Sequence, residues 1–274
     1  MRGRPFDAAI AFLSVLMFVT TGCPGDDSHS SRADGGPTDA SQLATTMVAT
    51  TSSPTTSPTN TALTCSGDGT VPVVLLAGGT DPSTVWTELI DQLGTDIRTC
   101  RFDPPGIGNT SPADQTVTAT QRAEALAEAL TSAGIDQPIV LAAHSLGGLI
   151  ARRFGTLYPD RLAGAVLLDP TTRLGLLSLR EELTGLGWDA DATIAETENP
   201  APWPEVPLIV LSHDPTLLTL GSEHVETLWS EGQQEYLALT PSSRREIVTG
   251  SGHYVYRDSP TVVIDALREV VGGV

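Results

Sequence analysis

The sequence predicts an α/β fold, with a mostly parallel central sheet covered by helices on both faces, built by residues 63–274. Three observations carry this expectation. Short aliphatic runs recur at 71–76, 139–142, 163–168 and 208–211, with a further strand at 97–102, separated by stretches with helical spacing. Most of these runs are apolar at consecutive positions, so each strand must be covered on both sides, as in a parallel sheet. The residues able to carry chemistry fall at the carboxyl ends of the runs, where open α/β sheets bind their ligands.

In chain order, 71–76 is a β-branched and aliphatic strand ending in Ala77-Gly78-Gly79, and 84–93 has apolar residues at helical spacing. The run 97–102 is the next strand, closed by the turn Asp103-Pro104-Pro105-Gly106. An Ala/Leu/Glu helix spans 118–133 and stops at Gly134. Strand 139–142 feeds Ala143-His144-Ser145-Leu146-Gly147, and an amphipathic helix follows to about Tyr158. After strand 163–168, the insertion 171–204 holds two leucine-rich helical stretches, Trp188, an acidic middle and Trp203 between prolines. It is expected to form a small lid whose apolar residues bias a pocket toward an apolar acyl or alcohol group. Strand 208–211, a short strand near 245–248 and a helix at 260–271 complete the domain.

The segment around Ser145 reads as a nucleophile elbow, a sharp strand-to-helix turn that lifts a serine hydroxyl off the sheet edge. Small residues two positions either side are needed because the strained backbone lies close to its neighbours. Gly147 meets that need, and Ala143 stands where such motifs usually carry their first glycine. The alternative is a serine that merely caps a helix. A serine nucleophile requires a base, and the base an acid to fix its tautomer. Of the five histidines, His29 lies outside the domain, His144 is held by the elbow, His213 follows a strand and His224 falls in an amphipathic stretch. His253, in the turn Gly250-Ser251-Gly252-His253 between a strand and a helix, is the candidate base.

The N-terminal region has a different character. Arg2 and Arg4 precede an apolar stretch at 8–19, too short for an ordinary membrane span, followed by Thr20-Thr21-Gly22-Cys23. Residues 1–22 read as an export signal, and Gly22-Cys23 resembles a bacterial lipobox, although Thr20 departs from the usual leucine. Lipidation of Cys23 would anchor the chain on the outer side of the cell membrane; plain cleavage would leave it secreted. Residues 23–62 are rich in Ser, Thr, Pro, Gly, Asp and Ala, and cannot bury enough apolar surface to fold, so a disordered tether is expected. An exported chain meets an oxidising compartment, which makes Cys65 and Cys100 a disulfide pair, with two buried thiols as the alternative. A net charge of −18, with all 15 basic residues arginine, disfavours nucleic-acid binding. A monomer is expected.

Taken together, Ala77-Gly78-Gly79, Asp103-Pro104-Pro105-Gly106-Ile107-Gly108, the elbow at Ser145, Tyr158-Pro159, Leu168-Asp169-Pro170 and the His253 loop resemble the α/β-hydrolase family across residues 63–274. The likeness extends in particular to exported bacterial members with a cysteine before the first core strand. Ala77 replaces a histidine common at that position. The resemblance implies oxyanion donors at the backbone N–H groups of Gly79 and Leu146. It implies a triad acid at one of two strand ends. Most members use the later one, which offers Asp214, here closely spaced and followed by Pro215. Some use the earlier one, and Asp169 is preferred, with Asp214 as the alternative.

The expected function is an exported serine hydrolase that cleaves carboxylic esters or related acyl compounds through an acyl-enzyme, with Ser145, His253 and Asp169 as its triad. Neither metal nor organic cofactor is implied. Ser145 argues against dehalogenase or epoxide-hydrolase chemistry, which in this family uses aspartate there. Peptidase, amidase or acyltransferase activity on the same triad is the enzymatic alternative. A non-catalytic binding lipoprotein is the alternative of another class, because fold alone never establishes chemistry.

Overall fold

The computed structural model describes residues 62–110, 115–198 and 202–274; the expected export signal, Cys23 and nearly all of the expected tether lie outside these residues. Among the described residues seven strands form one sheet: β1 (Leu63–Ser66), β2 (Val73–Leu76), β3 (Thr99–Phe102), β4 (Ile139–His144), β5 (Leu162–Leu168), β6 (Leu208–Ser212) and β7 (Ser243–Ile247), in the spatial order β1-β3-β2-β4-β5-β6-β7. All neighbours are parallel except β1, which runs antiparallel to β3.

The helices are α1 (Thr87–Leu93), α2 (Ala119–Ser132), α3 (Gly147–Leu157), α4 (Arg173–Ser178), α5 (Arg180–Gly185), α6 (Ala190–Glu198), α7 (Glu223–Gly232), α8 (Gln234–Leu237), α9 (Val255–Asp258) and α10 (Pro260–Gly272). Alternation along the strands sorts the core into two layers. Val73, Leu75, Val140, Ala142 and Val166 pack with Leu89 and Leu93 of α1 and Val263 and Leu267 of α10. Val74, Leu76, Leu141, Ala143 and Leu167 pack on the other face with Leu126 and Leu130 of α2 and Ile150 and Phe154 of α3. Full burial of a side chain of this size contributes about 1.5–3 kcal/mol, which is why the consecutive apolar runs end up as central strands. Helix α2 opens with a reciprocal cap: the Thr118 hydroxyl accepts the Gln121 N–H at 3.2 Å and the Gln121 side-chain oxygen accepts the Thr118 N–H at 2.9 Å.

Some expectations are adjusted. The helix expected at 84–93 begins as a 3₁₀ turn at Ser83–Trp86. The insertion forms three helices, α4 to α6, rather than two. Only part of it acts as a lid: Leu179, Glu182, Leu183 and Leu186 face the cavity above Ser145, whereas Trp188 and Trp203 are buried in the core layer. Strand β1 is not announced by any apolar run. It is an edge strand held by β3 and by the Cys65–Cys100 disulfide, whose two residues sit directly opposite in the antiparallel register, 4.0 Å apart at Cα.

Candidate active site

Strand β4 ends at His144 and helix α3 begins at Gly147, so the chain must reverse within two residues. Ser145 takes up this turn with φ +50, a region a non-glycine residue seldom occupies. Neighbouring backbone fixes the conformation. Ser145 N–H donates to Leu168 O at 3.1 Å, and Ser145 O accepts from Thr171 N at 3.0 Å and Gly148 N at 2.9 Å. Small residues are required here: a Cβ on Gly147 would lie 2.6 Å from Leu76 O, and one on Gly78 would lie 2.7 Å from Ser145 Cβ. The Ser145 hydroxyl lies 3.4 Å from that of Thr171.

The serine lines a cavity of about 520 Å³, open to solvent, together with Gly78, Gly79, Leu146 and His253. Gly79, with φ +56, and Leu146, the N-cap of α3, therefore border the space that a substrate carbonyl would enter. Lid residues Leu179, Leu183 and Leu186 make its wall apolar, and Asp81 and Glu182 add two carboxyl groups. Burial raises the Asp81 carboxyl above its ordinary range against the opposing pull of Arg257 and His253.

His253 is brought to this cavity by the loop after β7. Gly250 N–H donates to Asp214 Oδ2 at 3.0 Å and Gly252 N–H donates to Asp258 Oδ2 at 2.7 Å. His144 holds the loop from beneath. Burial, followed by the neighbouring His253, pushes the His144 imidazole down to about 3, so the ring is neutral. The backbone oxygen of His253, 2.9 Å from His144 Nε2, can only accept, which places the His144 proton on Nε2.

The two candidate acids have separate surroundings. Asp169, fully buried with φ +44, places Oδ2 2.6 Å from His253 Nδ1. Its Oδ1 accepts from Gln233 Nε2 at 2.7 Å, His213 Nδ1 at 2.8 Å and Trp229 Nε1 at 3.1 Å. Burial alone would raise this carboxyl, but hydrogen bonds from His213 and His253 hold it far below the carboxylate range. Asp214 instead accepts the Thr216 hydroxyl at 2.6 Å, the Thr216 N–H at 3.0 Å and the Gly250 N–H. The Thr216 hydroxyl and the Gly250 N–H keep the Asp214 carboxyl below its ordinary value.

The structure thus brings Ser145, His253, Asp169, Gly79 and Leu146 together and leaves Asp214 supporting the histidine loop. The shell around Asp169, made by His213, Glu226, Trp229 and Gln233, is not foreseen in the sequence. Glu226 sits in the helix Glu223–Gly232 and is buried. His224, in the same helix, is exposed as expected. Among the described residues no group of three or more His, Cys, Asp or Glu side chains is arranged to hold a metal ion.

Residues 73–196 match the alpha/beta hydrolase family. A stretch of 113 residues is 34% identical to the lipase LipV of Mycobacterium tuberculosis (strain ATCC 25618 / H37Rv), and it covers 41% of this chain and 42% of that protein. The chain therefore spans less than half the length of that relative. Among solved structures, a thermophilic esterase from Thermogutta terrifontis superposes with a TM-score of 0.57 at 21% identity, over 77% of this chain and 93% of the esterase. A monoacylglycerol lipase from Paleococcus ferrophilus superposes with a TM-score of 0.59 at 16% identity, over 77% and 98% of the two chains. The sheet order, the strained serine turn and these similarities lead to one assignment: the chain has the α/β-hydrolase fold.

Proposed function

We propose that the protein is an exported serine hydrolase that cleaves carboxylic esters through an acyl-enzyme, with Ser145 as nucleophile, His253 as general base and Asp169 as the acid of the triad. The observation that carries this reading is the union of a strained serine with a histidine whose Nδ1 is committed to a fully buried carboxylate. With Nδ1 donating to Asp169, Nε2 is the nitrogen that takes the Ser145 proton as Oγ attacks the substrate carbonyl carbon. The developing oxyanion is received by the backbone N–H groups of Gly79 and Leu146, each donor of this kind being worth about 100- to 1000-fold in rate. His253 then protonates the departing alkoxide, and water, activated by the same ring, releases the acyl group.

Leu179, Leu183 and Leu186 supply apolar surface for the acyl or alcohol portion. The relatives described as esterases and lipases support an ester as the substrate class. Export rests on the sequence features of residues 1–22, and lipid on Cys23 would tether the domain to the outer face of the membrane through residues 23–62.

The test is hydrolysis of a panel of soluble aryl and alkyl esters by the mature protein and by Ser145→Ala. The variant is expected to lose at least about 1000-fold in kcat while keeping the parental circular dichroism spectrum. Turnover within tenfold of the parent would remove Ser145 from the reaction.

A further inference from the structure

His213, beside Asp214 at the end of β6, is the side chain there that reaches Asp169. Its Nδ1 lies 2.8 Å from both Asp169 oxygens, and its Nε2 lies 2.5 Å from Glu226 Oε2. Glu226 Oε1 is already engaged by the Leu220 N–H at 2.7 Å. All three side chains are buried: Asp169 is 0%, His213 2% and Glu226 3% exposed. Both His213 ring nitrogens therefore face carboxylate oxygens, which when ionised only accept. A neutral imidazole carries one N–H and could satisfy one of them; satisfying both requires the imidazolium.

Building on the triad reading above, we propose that His213 is a positioning residue for the hydrolytic reaction: an imidazolium held between Glu226 and Asp169 that fixes the Asp169 carboxylate against His253 and takes up part of its negative charge. Burial opposes this charge, yet the hydrogen bonds to Asp169 and then to Glu226 raise His213 to about 9. The consequence concerns the base. A carboxylate that already shares its charge with one imidazolium stabilises a second one less. Less of the Asp169 charge is then left for the imidazolium that forms in the reaction than in a variant whose residue 213 is neutral.

The other charged or titratable groups around the pair are Asp214 beside His213, Arg245 beside Asp169, Asp81, His144 and Tyr254 beside His253, and Arg257 stacked on Tyr254. All of them remain in the test variants. Glu226→Gln is the informative change: its amide oxygen can keep the Leu220 N–H while its amide nitrogen donates to His213 Nε2. That leaves His213 neutral, with Nδ1–H still on Asp169.

The experiment is the pH profile of kcat/KM, from about pH 5 to 9, for hydrolysis of a soluble p-nitrophenyl ester by the mature parent, Glu226→Gln and His213→Asn. The acid-side midpoint is expected to rise by about one pH unit in Glu226→Gln, with KM within about twofold of the parent. His213→Asn is expected to show the same rise together with a loss of about tenfold in kcat, because its shorter side chain holds Asp169 less firmly. A parental midpoint in Glu226→Gln overturns the inference while the parent's activity preserves the hydrolase reading; an inactive parent overturns both. Nitrogen spectra of the parent's histidine rings at about pH 8, where exposed histidines are neutral, give a readout free of any folding defect. One imidazolium is expected, and its absence contradicts the proposal.

Discussion

At φ +50, Ser145 occupies a conformation that costs of order 1–3 kcal/mol, and the structure retains it through backbone hydrogen bonds to Leu168, Thr171 and Gly148, with Gly78 and Gly147 allowing a close approach that a Cβ would block. This is why the pentapeptide is legible in the sequence: steric need fixes small residues, Ala143 and Gly147, two positions either side of the serine. His253 is legible for a related reason, since a glycine-rich turn between a strand and a helix can bring an imidazole over the elbow. The choice between Asp169 and Asp214 is not legible, because both follow strand ends and only the fold shows that His253 Nδ1 meets the first. Expected kinetics follow from these contacts. Asp169→Asn should lower kcat by about 10⁴ through loss of the correct histidine tautomer. Asp214→Asn should lose tenfold or less, through the Thr216 and Gly250 contacts that position the loop. Steady-state kinetics on one ester decides, and a reversal of the two effects would move the acid to Asp214.

Among the elements, the central strands are readable because burial on both faces demands consecutive apolar residues. Strand β1 is different: three of its four residues lie outside the core, so it carries no apolar signature and is found through its partner β3. Its attachment rests heavily on the disulfide, which closes a loop with a sequence separation of 35. In the chain-entropy model such a link stabilises by about 3–4 kcal/mol. Cys65→Ser with Cys100→Ser should therefore lower stability by about that amount in urea titrations, with the site geometry kept, because β1 is an edge strand separated from β4 by β3 and β2. Alkylation of both cysteines in the unreduced, unfolded parent would show that the bond does not form. The insertion is partly readable as well. Its leucines announce helices, but the burial of Trp188 and Trp203 in the core layer depends on long-range packing that no local pattern encodes.

Over the molecule as a whole, the strongly acidic chain places one buried cation, His213, between two acids at the heart of its site. Stability should report it. His213 is raised to about 9, so its contribution is complete below about pH 6.5 and is lost as pH rises through about 9; Asp169 is depressed, so its contribution is present above the ordinary carboxylate range and is lost in acid. Thermal unfolding is therefore expected to show a Tm that falls between about pH 6.5 and 9 in the parent and much less in His213→Asn; parallel curves would place the charge elsewhere. The assignment of hydrolytic chemistry to this fold is tested most directly by covalent capture. The mature protein is treated with a fluorophosphonate and analysed by intact mass and peptide mapping. A single adduct on Ser145, absent from Ser145→Ala and strongly slowed in His253→Ala, is the predicted result; no adduct, or one that persists in Ser145→Ala, would contradict it.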